Sequence, residues 1–332
     1  MLFYFRLNIF FIFISVNFYS TNFSPMKRVF LIMMAGCLSL PVLAQQMLDV
    51  VSLSGRYGLP QEYKETYTGK ATEFGSINSI TAGIRLSTKN MIPISFNHFY
   101  FNVQGDPEIP GNLSNPIIIN GFIFRTGWYQ RFGNGNAIQL LIAPRIMSDF
   151  KNLDGNSFQM GGLLTYEKVF NDELTMSFGA MYNQELFGPY LVPLVDLHWQ
   201  ISSKWRIDGM LPVTARVVYS VNDNMSVGFN HFGLVTTYYL GHEAYVGDYM
   251  ERQSIDLSLF LRQRLGGNFF VEGMVGQALG RSYKQYAGDQ KVSFALPLVT
   301  FGDDRVVKNE TFKGGMILTL KLVYNIAVPA WE

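Results

Sequence analysis

The sequence predicts an all-β fold: a single closed antiparallel transmembrane β-barrel of 12–14 strands. Three observations lead there. Apolar residues recur at every second position over stretches of about ten residues, the length a tilted strand needs to cross a bilayer. Short polar turns alternate with longer links along the chain. The 332 residues are 48% hydrophobic and only 15% charged. Yet the portion after residue 44 contains no apolar run of ~18 residues, the length a spanning helix requires.

The N-terminal region sets the compartment. Met26-Lys27-Arg28 is a short positive segment, Val29 to Met34 an apolar run, and Pro41 precedes Val42-Leu43-Ala44. This order reads as a secretory signal peptide over 26–44, with cleavage after Ala44 leaving Gln45 first. A rival reading takes Met34-Ala35-Gly36-Cys37 as a lipoprotein box. Against it, Leu38, Leu40, Val42 and Leu43 continue the apolar segment past Cys37. Residues 1–25 are rich in Phe, Ile and Tyr, with Arg6 their one charged residue. They read as upstream sequence translated ahead of a start at Met26, or as an extension near the length of a membrane helix. The barrel is assigned to residues 45–332.

With Arg6, Lys27 and Arg28 set aside, residues 45–332 carry 23 basic and 25 acidic residues, a formal charge of −2. That balance excludes the basic surface nucleic-acid binding needs. Cys37 is the only cysteine, so the cleaved chain has no disulfide and no thiolate metal site. There is no phosphate loop, no Gly-x-Ser-x-Gly and no His-Glu-x-x-His. The expectation is no cofactor and no metal.

The period of two is clear in four segments. Leu174, Met176, Phe178, Ala180 and Tyr182 oppose Thr175, Ser177, Gly179 and Asn183. Ala215, Val217, Tyr219 and Val221 oppose Thr214, Arg216 and Ser220. Ile255, Leu257, Leu259 and Leu261 oppose Ser254, Asp256 and Ser258, with Phe260 out of pattern. Met316, Leu318, Leu320, Leu322 and Tyr324 oppose Thr319, Lys321 and Asn325. A soluble β-sandwich also alternates, but its strands usually run ~5–6 residues.

Tight polar turns are expected at 87–90, 133–136, 171–173, 202–204, 222–224 and 266–268, where Asn and Gly supply the φ > 0 positions of hairpins. Longer links are expected at 59–74, 105–116, 149–156, 187–190, 241–251 and 282–311. One strand on each side of every link, with 204–221 holding two short strands that meet at Leu211-Pro212, gives 14. The count falls to 12 if the hairpin around Leu211-Pro212, which has almost no loop, stays out of the wall.

Aromatic residues cluster near the short turns: Trp128, Tyr129, Tyr166, Trp199, Trp205, Tyr219, Phe269 and Tyr324. They are candidates for an interfacial girdle, where an amphipathic ring has one greasy and one wet side. A cleaved signal, alternating strands, alternating turn lengths and an amphipathic last strand, Met316 to Tyr324, together resemble bacterial outer-membrane β-barrel proteins. A Gln-Gln start and blocks such as LVPLVDLHWQISSKWRIDGMLP look more loosely like uncharacterised Bacteroidetes barrels. The resemblance implies outer-membrane localisation and two partners: outer-membrane lipid, and the barrel-assembly machinery that reads the last strand. It assigns no substrate.

If the apolar face meets lipid, the opposite face is the lumen. Its candidates are Arg56, Arg85, Arg125, Arg145, Glu167, Asp196, Arg206, Asp208, Arg216, Asp256, Arg262, Glu272 and Lys321. A charge on the lipid face costs ~2–4 kcal/mol at the midplane for Arg or Lys, so this placement reports side. The resulting expectation is a passive channel or transport-related barrel for small polar solutes, with a mixed-charge, slightly positive lumen. Internal salt bridges filling a closed lumen explain the same pattern. The segment 282–311 is a candidate partial plug. The alternatives are an outer-rim hydrolase acting on lipid or peptide, for which His242 is the only loop histidine, and a structural or adhesive surface barrel.

Overall fold

The computed structural model describes residues 46–64 and 68–328. The expected signal peptide, Ala44, Cys37 and residues 1–25 lie outside the described residues. The described residues form fourteen wall strands. They are β1 (Gln46–Glu62), β2 (Lys70–Arg85), β3 (Asn90–Gln104) and β4 (Ile117–Arg131). The strand β5 is interrupted, Ala137–Ile142 and Arg145–Ser148, as is β6, Phe158–Gln159 and Gly161–Val169. Next come β7 (Leu174–Glu185), β8 (Gly188–Gln200), β9 (Trp205–Leu211) and β10 (Thr214–Asn222). The wall ends with β11 (Met225–Tyr239), β12 (Tyr249–Gly266), β13 (Phe269–Tyr286) and β14 (Met316–Val328). Each pairs antiparallel with its neighbour in sequence, and β1 pairs with β14 from Gln46↔Val328 to Gly58↔Ile317, closing the ring. The hairpin at Leu211-Pro212 joins the wall, so the count is 14 and not 12.

Pro144 sits at the break in β5, where a residue without an N–H costs no ladder bond. Ala143 and Gly161 exchange backbone bonds across that break at 2.8 and 3.0 Å.

The alternation decides which side meets lipid. On β14, Leu318, Leu320 and Leu322 are exposed, while Ile317, Val323 and Asn325 are buried. On β12, Leu259 and Leu261 face out, and Phe260 faces in with Val218 and Met274. The out-of-pattern phenylalanine therefore belongs to the interior. Leu140, Ile142, Leu164, Phe178 and Val275 extend the apolar belt around other strands. A continuous exposed belt of this kind is an aggregation surface in water and a solvated surface in lipid.

Several strands run further than the sequence pattern suggests. The links are 63–69, 186–187, 240–248 and 287–315, in place of 59–74, 187–190, 241–251 and 282–311. At 18 residues each, β12 and β13 far exceed a bilayer crossing. Their upper parts lack the exterior apolar alternation because their outer faces do not meet lipid.

The short β9–β10 hairpin shapes the loop end. On β8 only Val195–Gln200 pairs with β9, and on β11 only Met225–Phe232 pairs with β10. Above this hairpin β8 and β11 have no ladder between them. Here the alternation of buried and exposed residues stops: Thr236–Gly241 and Asp248–Arg252 are buried at every position. One face of these strand tops packs on Phe99, Phe101, Ile119, Ile123 and Met147 through Tyr238 and Met250. The other face, with Tyr249 and Tyr286, packs on Tyr190, Val192 and Leu194 of β8 and on Val292 and Ala295 of the last loop. The tops of β11–β13 are thus wedged inside the barrel, between two parts of its own wall.

Candidate functional site

The interior divides into two halves. In the half near the short turns, charged groups are paired and most are partly exposed, although Glu272 is fully buried beneath its basic partners. Arg206 Nε lies 2.5 Å from Asp208 Oδ2, and His198 Nδ1 lies 2.6 Å from Asp208 Oδ1. Side-chain exposure there is 34% for Arg206 and 30% for Asp208. Glu272 accepts from Arg216 at 2.7 Å and from Arg262 at 2.8 Å, with Lys321 Nζ at 3.7 Å. Arg262 also holds Asp49 at 2.7 Å, and Arg216 stacks on Phe260. Asp196, Arg125 and Glu167 are half-buried. Arg85 stands exposed at the short-turn mouth, its Nε donating to the Ser87 carbonyl at 3.2 Å.

In the loop-end half the ion pairs are dry. Arg56 donates to Glu73 at 2.5 Å and also to Asp256. Tyr283 donates to Glu73 at 2.6 Å and accepts from Arg252 Nε at 3.0 Å. The side chains of Glu73, Arg252 and Arg281 have zero exposure. Arg145 pairs with Glu185 at 2.9 Å, and both are buried.

Glu185 holds the seam between β11 and the opposite wall. The Thr237 N–H and Oγ1 both donate to Glu185 Oε2, at 2.9 and 2.7 Å. The Thr237 carbonyl accepts from Gln159 Nε2 at 3.1 Å, and Leu186 N donates to Thr237 Oγ1 at 2.8 Å. Asp149 donates from its backbone N to the Tyr239 carbonyl, and its carboxylate accepts from Gly241 N and His242 N. An unpaired strand edge must satisfy its backbone groups somewhere. Here side chains, with one backbone bridge at Tyr239, replace the missing ladder.

The loop 287–315 is strapped over this seam. It carries a small hairpin, Phe294–Leu296 with Val299–Phe301, and Ala295 bridges Tyr190 of β8. Arg305 donates to Asp303 at 2.8 Å and to Glu251 at 2.7 Å, and stacks on Tyr286. Lys308 reaches Asp248 at 2.5 Å. Phe312 packs between Tyr63 and Tyr283. A cleft of about 410 Å³ remains beside the strap, lined by Tyr239, Asp248, Tyr249, Asp289 and Lys291 among others.

The sequence-derived candidates fall into both halves. Arg56, Arg145 and Asp256 sit in the dry half, and Arg125, Glu167, Asp196, Arg206, Asp208, Arg216, Arg262, Glu272 and Lys321 in the wetter one. Sequence reasoning missed Glu73, Glu185, Arg252 and Arg281, whereas Arg305 lies in the segment read as a candidate plug. Glu73, Arg252 and Arg281 fell in or at the edge of segments read as loops. For Arg252 and Arg281 the structural reason is the Gln253/Ile255 bulge opposite Gly280, at φ +58, which carries β13 on past the expected loop start.

Among the aromatic candidates, Trp128, Tyr166, Trp199 and Trp205 are exposed on the outer face. Trp205 packs against Tyr219, and Phe269 against Tyr324. Tyr129 is a correction: it is buried and donates to Glu167 at 2.9 Å. Its register with Met91, beside inward Arg125, turns it to the lumen. His242 accepts from Ala244 N at 3.2 Å and stacks on Tyr245, which holds it as a turn cap.

A domain family described as a domain of unknown function (DUF6268) matches residues 134–296. No curated protein matches the sequence. Among solved structures, an outer membrane channel from Pseudomonas putida F1 is 10% identical over 87% of this chain and 100% of its own, with a TM-score of 0.41. The P. putida toluene transporter TodX is 8% identical over 87% of this chain and 92% of its own, at 0.34. The NanC porin is 8% identical over 82% of this chain and 98% of its own, also at 0.34.

Proposed function

We propose that this chain is an outer-membrane channel for small polar solutes whose resting state is closed at the loop end. The observation that carries the reading is the division of the interior. Partly exposed ion pairs line the short-turn half, while the loop-end half is filled by Tyr238, Met250, Phe101 and their neighbours. A barrel built only as a filled scaffold has no need of a half-exposed charged interior, because solvated ion pairs add little stability. The mixed-charge wall favours polar over apolar solutes and biases ion passage by its field.

In this proposal residues 26–44 direct export and are cleaved after Ala44. The last strand is read by the barrel-assembly machinery, and the exterior belt meets outer-membrane lipid. The lineage of the chain is proposed to be Bacteroidetes-like. The test is single-channel recording of purified protein in planar bilayers. The wild type should show rare or small openings, and Thr237→Val, which loosens the seam, should open more often. No conductance above an empty bilayer from either protein overturns the channel reading.

A further inference from the structure

One cluster in the dry half has more positive charge than its partners balance. Arg56, Arg252 and Arg281 converge on Glu73, and Asp256 is the second acid. Arg56 takes the short contacts to both acids. Arg252 and Arg281 stop at 4.0 and 3.7 Å from Glu73, beyond hydrogen-bond reach. Three guanidinium groups against two carboxylates leave one positive charge in a water-excluded interior.

The hydrogen-bond pattern matches the charge excess. Both terminal nitrogens of Arg252 and all three guanidinium nitrogens of Arg281 are buried without a hydrogen-bond partner. The faces of these groups are occupied. Arg252 lies 3.7 Å above the Phe101 ring centroid, and Arg281 lies 5.4 Å from that of Phe312. Aromatic faces stabilise a cation from above but leave its in-plane N–H donors unsatisfied. An unsatisfied buried charged group is costly and is found neutralised or paired. The wall also makes room here: a Cβ on Gly58 would lie 2.3 Å from Arg281 Nη1.

The geometry points to a buried binding site for one small monovalent anion, of halide or nitrate size, held by the in-plane N–H groups of Arg252 and Arg281. Its charge completes the balance with Glu73 and Asp256. Its position ties β12 and β13, the wedged strands, to β1 and β2, which supply Arg56 and Glu73. The anion is therefore a lock on the closed arrangement, and its site stands whether or not the barrel conducts.

The experiment uses the full barrel, refolded in detergent, at constant ionic strength. Sodium gluconate is replaced stepwise by sodium chloride, bromide or nitrate while thermal unfolding is followed. The unfolding temperature should rise by roughly 2–5 °C and saturate in the millimolar range, as for a ligand bound only by the folded state. Arg281→Gln and Arg252→Gln should each abolish the saturable rise. Equal unfolding temperatures in gluconate and halide, or a wild-type response in both variants, overturn the site. If the variants do not fold, bromide-soaked crystals of the wild type decide. An anomalous peak within hydrogen-bond distance of both guanidinium groups supports the site, and water alone in that position overturns it.

Discussion

The two halves of the interior are made from the same residue types and differ in what surrounds them. Near the short turns, Arg206, Asp208 and His198 form close pairs but keep about a third of their side-chain surface exposed. Near the loops, Arg56, Glu73 and Asp256 form equally close pairs at 5% exposure or less. Exposed pairs contribute ~0–1 kcal/mol, whereas breaking a buried pair by removing one partner costs ~3–5 kcal/mol. The lesson is that the same kinds of ion pair stay open to solvent in one half and hold the packing together in the other; under the proposed channel, solute would use the first and the second would be the seal. The cause is topological: β9 and β10 are short, β11 has no ladder to β8 above them, and the tops of β11–β13, still paired with one another, turn inward there.

The strongest way to break this contrast is Glu73→Gln. It leaves Arg56, Arg252 and Arg281 around a neutral group, and a loss of ~3–5 kcal/mol is expected. Urea unfolding of the refolded barrel measures it. A loss below ~1 kcal/mol would show that the loop-end half is wet after all.

Thr237→Val should have the next largest effect. It removes the hydroxyl that donates to Glu185 and accepts from Leu186 N. The expected cost is ~1–3 kcal/mol, because a buried carboxylate and a buried N–H lose a partner. Trypsin should also cut faster at Lys308 and Lys313. Unchanged stability and unchanged cleavage would mean that apolar packing alone holds the seam.

A smaller, pH-dependent effect is expected at the strap. The hydrogen bond from Arg305 holds the Asp303 carboxyl below its ordinary value of 3.8. A depressed acid stabilises fully above that ordinary value, and its contribution is lost as pH falls through the folded-state value. Cleavage of the 287–315 loop by pepsin should therefore rise as pH drops below 3.8. The Asp303→Asn variant should already be sensitive at the upper end of the pepsin range. A pH-independent digestion rate in the wild type would remove Asp303 from the strap.

The wetter half was the more legible in the sequence, and lipid is the reason. Where the outer face meets hydrocarbon, every second residue must be apolar, and the opposite residues stand out as Arg206, Arg216 or Lys321. This contrast located the strands, the short turns and most of the charged interior. Above the membrane band the constraint lapses. Tyr249, Glu251 and Tyr286 face outward yet are covered by the last loop and by β8 rather than lipid. Both faces are then protein-facing, the period of two disappears, and Arg252 and Arg281, at the very edges of segments read as loops, do not stand out. The wedge itself depends on contacts between β7 and β11, about fifty residues apart, which no local pattern encodes. Phe260 is the converse case: it looked like an error in the alternation and is the ring beneath Arg216.

The smallest stability effect should accompany the clearest functional one. Asp208→Asn removes an acid that is 30% exposed, so a stability change under ~1 kcal/mol is expected. The same change deletes a negative charge from the wetter lumen and leaves Arg206 unbalanced, which should shift reversal potentials toward anions. Arg125→Glu should shift them the other way, because it reverses a half-buried positive charge on the wetter wall. Arg145 is unsuitable for this comparison: it pairs with Glu185, and reversing it disturbs the seal and the field together. If Asp208→Asn and Arg125→Glu both leave selectivity unchanged while Thr237→Val raises conductance, ions bypass the charged wall. The route then runs along the seam rather than through the lumen.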